Sequence, residues 1–136
     1  LEEIAVMSLK KLLIADDNAA WVESLARHLR RADVEVKTAY DALTLLKLVH
    51  LDAPDALCLG INMPCDNGVC VCELLAAEGR FRALPIVLLT DRADDWLTHD
   101  CHGLRAVYTP KEGDAASRVE RLLAEITVAE PIAAFC

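Results

Sequence analysis

Lys11-Leu12-Leu13-Ile14-Ala15, followed at once by Asp16-Asp17-Asn18, is the stretch whose reading decides the fold. A short apolar run with no polar alternation suits a strand covered on both faces, as strands of a parallel sheet are. The abrupt change to two carboxylates and an amide marks its end. Asn18 is a good helix N-cap, and the stripe Trp21, Leu25, Leu29 that follows has helical spacing.

The same alternation continues outward from this unit. Residues 34–39 read as a second strand, with Val34, Val36 and Thr38 alternating with charged residues. Residues 42–51 carry a helical stripe through Leu43, Leu46 and Val49 or His50. Pro54-Asp55 punctuates, and 56–61 is a third buried strand. The spacing predicts a helix over 68–78, with Gly79 as its left-handed stop. Pro85 introduces the strand Ile86-Val87-Leu88-Leu89-Thr90. A short helix over 94–102 ends at Gly103, a last strand covers 106–109, and a final helix covers 114–126 with Val119, Leu122, Leu123 and Ile126 on one face. The tail from Ala129 shows no period, and there is no internal repeat. One domain over 10–126 is expected, with 1–9 and 127–136 as terminal extensions.

Strand and helix alternating five times imply a parallel sheet with helices on both faces and right-handed crossovers. In such sheets the functional crevice lies beyond the carboxyl ends of the strands. That rule singles out Asp16-Asp17, the Ala39 region, Gly60-Ile61-Asn62, Thr90 and Lys111.

Composition narrows the class. The chain has 136 residues, 54% of them hydrophobic and 26% charged, which is globular and long enough for a core of its own. A net charge of -8 argues against a broad nucleic-acid or membrane-surface footprint, since both surfaces are anionic. No apolar run is long enough to span a bilayer and no secretory signal is visible. The six cysteines therefore read as reduced thiols of a cytoplasmic protein.

Asp16-Asp17, Gly60, Thr90 and Lys111 follow one another at intervals of 43, 30 and 21 residues. Pro54-Asp55 precedes the third strand, Met63-Pro64 follows it, Gly68 opens the next helix, and Tyr108 stands three residues before Lys111. In this order the pattern resembles the receiver domain of two-component response regulators, over residues 10 to 126. The resemblance implies a flavodoxin-like, doubly wound α/β fold with a five-stranded parallel sheet in the order 2-1-3-4-5. It also implies an acidic pocket at Asp16 and Asp17, a switch-like set at Thr90, Tyr108 and Lys111, and a partner-binding face formed by the fourth helix, fifth strand and fifth helix.

The chemistry of such a pocket is phosphoryl transfer to a carboxylate, giving an acyl phosphate. A hard divalent cation neutralises the phosphoryl oxygens, a lysine holds them as a point charge, and a hydroxyl donates to one of them. Here the nucleophile is missing: Leu59-Gly60-Ile61 stands where the family has an aspartate in the middle, and Asn62 is a neutral amide. Pro110-Lys111-Glu112 also departs from the family's Lys-Pro. The expectation is a pseudo-receiver, not an enzyme, that acts by protein–protein contact with a partner or with itself. It would need no cofactor and would hold Mg²⁺ weakly if at all, through Asp17 and the main-chain carbonyl of Asn62. Gly60→Asp should partly restore that binding. Lys111, without a phosphate, should pair with Asp16 or Asp17.

Two other readings stand beside this one. A phosphoreceiver could use another aspartate, Asp17 or Asp66. Alternatively, a redox or metal sensor could use the cysteines. Cys65, Cys70 and Cys72 match no zinc spacing, and Cys70 and Cys72 on one helix point about 200° apart. They read as structural thiols. His99 and His102 flank Cys101 but form no convincing ligand pair, and Trp96 reads as a half-buried aromatic.

Overall fold

The computed structural model describes residues 9–30, 34–63, 66–81, 83–90, 105–111 and 113–133. In chain order the elements are β1 (Lys11–Ala15), α1 (Ala19–Leu29), β2 (Glu35–Ala39), α2 (Ala42–Leu51), β3 (Ala56–Gly60), β4 (Asn62–Met63), β5 (Asp66–Asn67), α3 (Gly68–Ala77), β6 (Pro85–Thr90), β7 (Arg105–Pro110) and α4 (Ala115–Ala133). The helix expected over 94–102 lies outside the described residues.

Successive side chains of a strand point to opposite faces, so a strand apolar at every position must be covered twice. On one face Leu12, Ile14, Cys58, Val87 and Leu89 pack against Val22, Leu25 and Leu29 of α1 and Val119 and Leu123 of α4. On the other, Leu13, Ala15, Leu57, Leu59, Ile86 and Leu88 pack against Leu45 and Val49 of α2 and Val71 and Leu75 of α3. The sheet runs β2-β1-β3-β6-β7, all neighbours parallel. Counting these strands alone, the order is 2-1-3-4-5, as the sequence implied.

Side-chain caps set where the first two helices begin. Asn18 accepts from the Trp21 N–H at 3.1 Å, and Asp41 accepts from the Thr44 N–H at 2.7 Å. Gly79, just past α3, has φ +74°, the left-handed turn expected of it.

Two elements differ from the sequence reading. The turn after β3 contains a two-residue antiparallel pairing, Asn62 with Asn67 and Met63 with Asp66, too short to leave a periodic signal. The last helix runs on to Ala133 instead of stopping near 126. Once nucleated, a helix gains one hydrogen bond for each N–H-bearing residue added, Pro131 being the exception here, so polar and apolar residues extend it alike and amphipathic period does not mark its end.

A carboxylate in the space beside Gly60

Three strand ends place the pocket. The Asp16 N–H donates to the Ala39 carbonyl at 3.2 Å, the Ile61 N–H to Leu89 at 3.0 Å, and the Lys111 N–H to Thr90 at 2.9 Å. The chain thus stays tied to the sheet one residue beyond β1, β3 and β7, which brings Asp16, Gly60 and Lys111 to the same end of the sheet.

Asp16 and Asp17 part company here. Asp16 is wholly buried, while Asp17 is exposed. One oxygen of Asp16, Oδ1, accepts from the Asn18 N–H at 3.0 Å, inside the same turn that caps α1. The other, Oδ2, lies 2.7 Å from Nζ of Lys111. It has no well-aligned hydrogen-bond donor, so the ammonium charge is what balances it. Lys111 is 15% exposed, so the pair sits largely out of water. Burial pushes the Asp16 carboxyl above the ordinary carboxylate range, and the neighbouring Asp17 carboxyl adds to the rise. The Lys111 ammonium and the Asn18 N–H pull in the opposite direction.

Gly60 explains how Asp16 comes to lie there. A Cβ placed on Gly60 would stand 2.1 Å from Asp16 Oδ2 and 2.7 Å from its Cγ. No non-bonded atoms approach that closely. The Asp16 carboxylate therefore occupies the volume that any side chain at position 60 would need. The pairing of Lys111 with one of the two acidic residues is as expected, and Asp16 is the one chosen. The expectation for Gly60→Asp needs amending, because a carboxylate there is not added to a waiting pocket. It has to displace Asp16.

Sequence reasoning missed Trp21 as part of the site. Its ring centre lies 5.3 Å from Lys111 Nζ, so the ammonium is flanked by a carboxylate and an aromatic ring. The signal was present in the sequence, since a residue in the first turn of α1 must stand near the strand end it leaves.

The remaining expected residues fall as follows. Thr90 is buried at the end of β6, opposite Pro110 in the ladder. Tyr108 is half-buried and packs on the α2–α3 side of the sheet, opposite Leu88. Asn62 begins the short β4–β5 pairing beside Gly60. Trp96, His99, Cys101, His102 and Cys65 lie outside the described residues. Cys58 and Cys72 are buried and Cys70 half-buried, and burial pushes the Cys58 thiol far above its ordinary range. No group of three or more His, Cys, Asp and Glu among the described residues is placed to hold a metal ion.

The sequence of the receiver-domain model for response regulators matches residues 12–112. The chain belongs to the response-regulator receiver family. Among characterised relatives, the response regulator MprA of Mycobacterium ulcerans is 39% identical over 82 residues, which is 60% of this chain and 34% of MprA. Protein RcaC of Microchaete diplosiphon is 32% identical over 84 residues, 62% of this chain and 13% of RcaC. The chain thus spans about a third or less of the relatives it matches. The receiver domain of Francisella response regulator 1452 superposes with a TM-score of 0.75 at 18% identity, covering 89% of this chain and 98% of that one. The chemotaxis response regulator CheY4 of Vibrio cholerae gives 0.76 at 20% identity, covering 87% and 98%. These two likenesses speak to the fold.

Mg²⁺, the cation such receivers imply, does not fit the residues in place. A small hard cation asks for near-octahedral oxygen ligands, commonly carboxylates. Asp16 is committed on both oxygens and Gly60 offers no side chain, which among the described residues leaves Asp17 and the Asn62 main chain.

Proposed function

We propose that this receiver domain signals without phosphorylation at position 60, by protein–protein contact. The observation that carries the reading is the Asp16 carboxylate lying in the space of a residue-60 side chain and neutralising Lys111. A phosphoryl group would find no nucleophile at Gly60. The lysine that would receive its oxygens already holds a counter-charge. The domain keeps its pocket as an internal ion pair, so its conformation is set by its own residues or by a partner, and not by a covalent modification. Thr90, Tyr108 and Lys111 then serve as structural elements linking the pocket to β7. The partner, or a second copy, docks on the face made by β7, α4 and the helix that the sequence predicts over 94–102. The domain, residues 10–126, works in the cytoplasm with no required cofactor and binds neither nucleic acid nor membrane. Among the described residues no helix is long and apolar enough to cross a membrane.

The test is incubation of the protein with a small phosphodonor and Mg²⁺, read by intact mass. The expected result is no hydroxylamine-labile gain of one phosphoryl group. Such a gain would overturn the reading, and peptide mapping would show whether Asp17 or Asp66 had taken the group.

A further inference from the structure

We propose that Arg118 is the positioning residue that aims Lys111 into the pocket. The inference rests on the reading above in one respect, that the Asp16–Lys111 pair is the working state of the site. Arg118 lies on α4, one turn from its start, and is half-buried. Its Nε donates to Thr109 Oγ1 at 3.0 Å, and its Nη2 donates to the Pro110 carbonyl at 2.7 Å. That carbonyl belongs to the peptide unit whose N–H is that of Lys111, and the N–H in turn donates to the Thr90 carbonyl at 2.9 Å.

The peptide plane between Pro110 and Lys111 is therefore held at both of its polar atoms, by Arg118 on one side and β6 on the other. A peptide unit is rigid and planar, so holding its oxygen and its nitrogen fixes the N–Cα bond of Lys111 and leaves rotation about that bond as the backbone freedom by which its side chain can swing. Pro110 has no N–H, so the end of β7 has one fewer ladder bond of its own with which to hold this direction. The guanidinium supplies what is missing, because its donors are set in one plane and can bridge two acceptors at once. Gly113 turns with φ +68° close by, and a Cβ there would lie 3.6 Å from Nη1 of Arg118, so the loop is folded against the same guanidinium. A lysine in place of Arg118 could satisfy the carbonyl or the hydroxyl, but it lacks the planar fork that spans both.

The experiment measures the coupling between Asp16→Asn and Lys111→Met by denaturant unfolding, first with Arg118 present and then in Arg118→Met and Arg118→Lys backgrounds. The expected result is a clear coupling in the parent, at least a fivefold drop in the corresponding equilibrium factor in Arg118→Met, and partial retention in Arg118→Lys. Arg121→Met, exposed on the same helix, should leave the coupling unchanged. As a second readout, Lys111→Met should shift the indole N–H resonance of Trp21 in the parent and shift it little in Arg118→Met. This readout needs only a folded protein, so it holds if the multiple variants are too unstable to titrate. Unchanged coupling in Arg118→Met would overturn the positioning role while leaving the ion-pair reading intact. No coupling in the parent would overturn both, since Arg118 would have no pair to aim.

Discussion

The carboxylate of Asp16 fills the space in which a side chain on Gly60 would begin: Oδ2 stands 2.1 Å from where a Cβ on Gly60 would be. A side chain at position 60 and the present placement of Asp16 are mutually exclusive. Gly60→Ala should therefore destabilise the fold by about 1–3 kcal/mol, the usual cost of forcing an extra carbon into a filled site. In an Asp16→Ala background most of that penalty should vanish, because the obstructing carboxylate is gone. Chemical denaturation of the two single variants and the double variant checks this. Additive losses would mean that Asp16 does not fill the space.

Gly60→Asp brings a second carboxylate to a buried site with one ammonium. Without divalent cations it should be less stable than the parent by at least as much as Gly60→Ala, since like charges are now confined together. Millimolar Mg²⁺ should restore part of the loss, seen as a rise in melting temperature larger than any rise in the parent. Equal responses of the two proteins to Mg²⁺ would show that the added carboxylate does not rebuild a cation site.

Lys111→Met leaves the Asp16 charge buried without its counter-ion. Breaking a largely buried pair in this way costs about 3–5 kcal/mol. Asp17→Asn should change stability by less than about 0.5 kcal/mol, as expected of an exposed side chain. The contrast between the two is the measurement. A large effect at Asp17 with a small one at Lys111 would reverse the assignment of the paired carboxylate.

His50, at the end of α2, gives the fold a pH dependence. Its Nδ1 faces the Leu46 carbonyl at 2.7 Å and its Nε2 faces Glu78 at 2.8 Å. A carbonyl and a carboxylate both accept, so both ring nitrogens must donate, which only the imidazolium can do. The Leu46 carbonyl and then Glu78 raise the His50 pKa above its ordinary 6.5, against burial and the nearby Arg80 charge. The ring also meets Phe81 edge-on, with centroids 5.5 Å apart. A pKa raised by folding means that the stabilisation is complete below 6.5 and is lost as pH rises through the folded value. NMR titration should place the His50 midpoint above that of a free histidine, and Glu78→Gln should lower it. A midpoint at or below 6.5 in the parent would show that the clip does not form.

Cys58 sits in the middle of β3 with no exposed surface. It should resist a thiol reagent until the protein is unfolded, while the half-buried Cys70 reacts earlier. Rapid labelling of Cys58 in the native protein, mapped by mass, would revive a redox role for the thiols.

β1, β3 and β6 were legible because each is apolar at consecutive positions, and only a doubly covered sheet accepts such runs, whereas β2 at the sheet's edge was read from its alternation. β3, with all five residues from Ala56 to Gly60 buried, is the clearest case. The order of polar residues at the strand ends was enough to place the pocket. What could not be read was the response of the neighbours to the missing side chain. A sequence shows that position 60 is glycine, but the turn from β1 into α1 decides that Asp16 moves inward while Asp17 stays in water. Arg118 was silent for a similar reason, since a lone arginine on a helix carries no pattern, and its acceptors belong to a different element.

The shared volume of Asp16 and Gly60 also ties the two positions together in any change of sequence. An aspartate placed at position 60 by a single substitution meets a fully buried carboxylate already bonded into the turn that caps α1. Replacing Asp16 first instead leaves Lys111 with nothing at position 60 to balance its charge. Each change alone therefore lowers stability, and the two residues are separated from the alternative pair by a valley that only a joint substitution crosses.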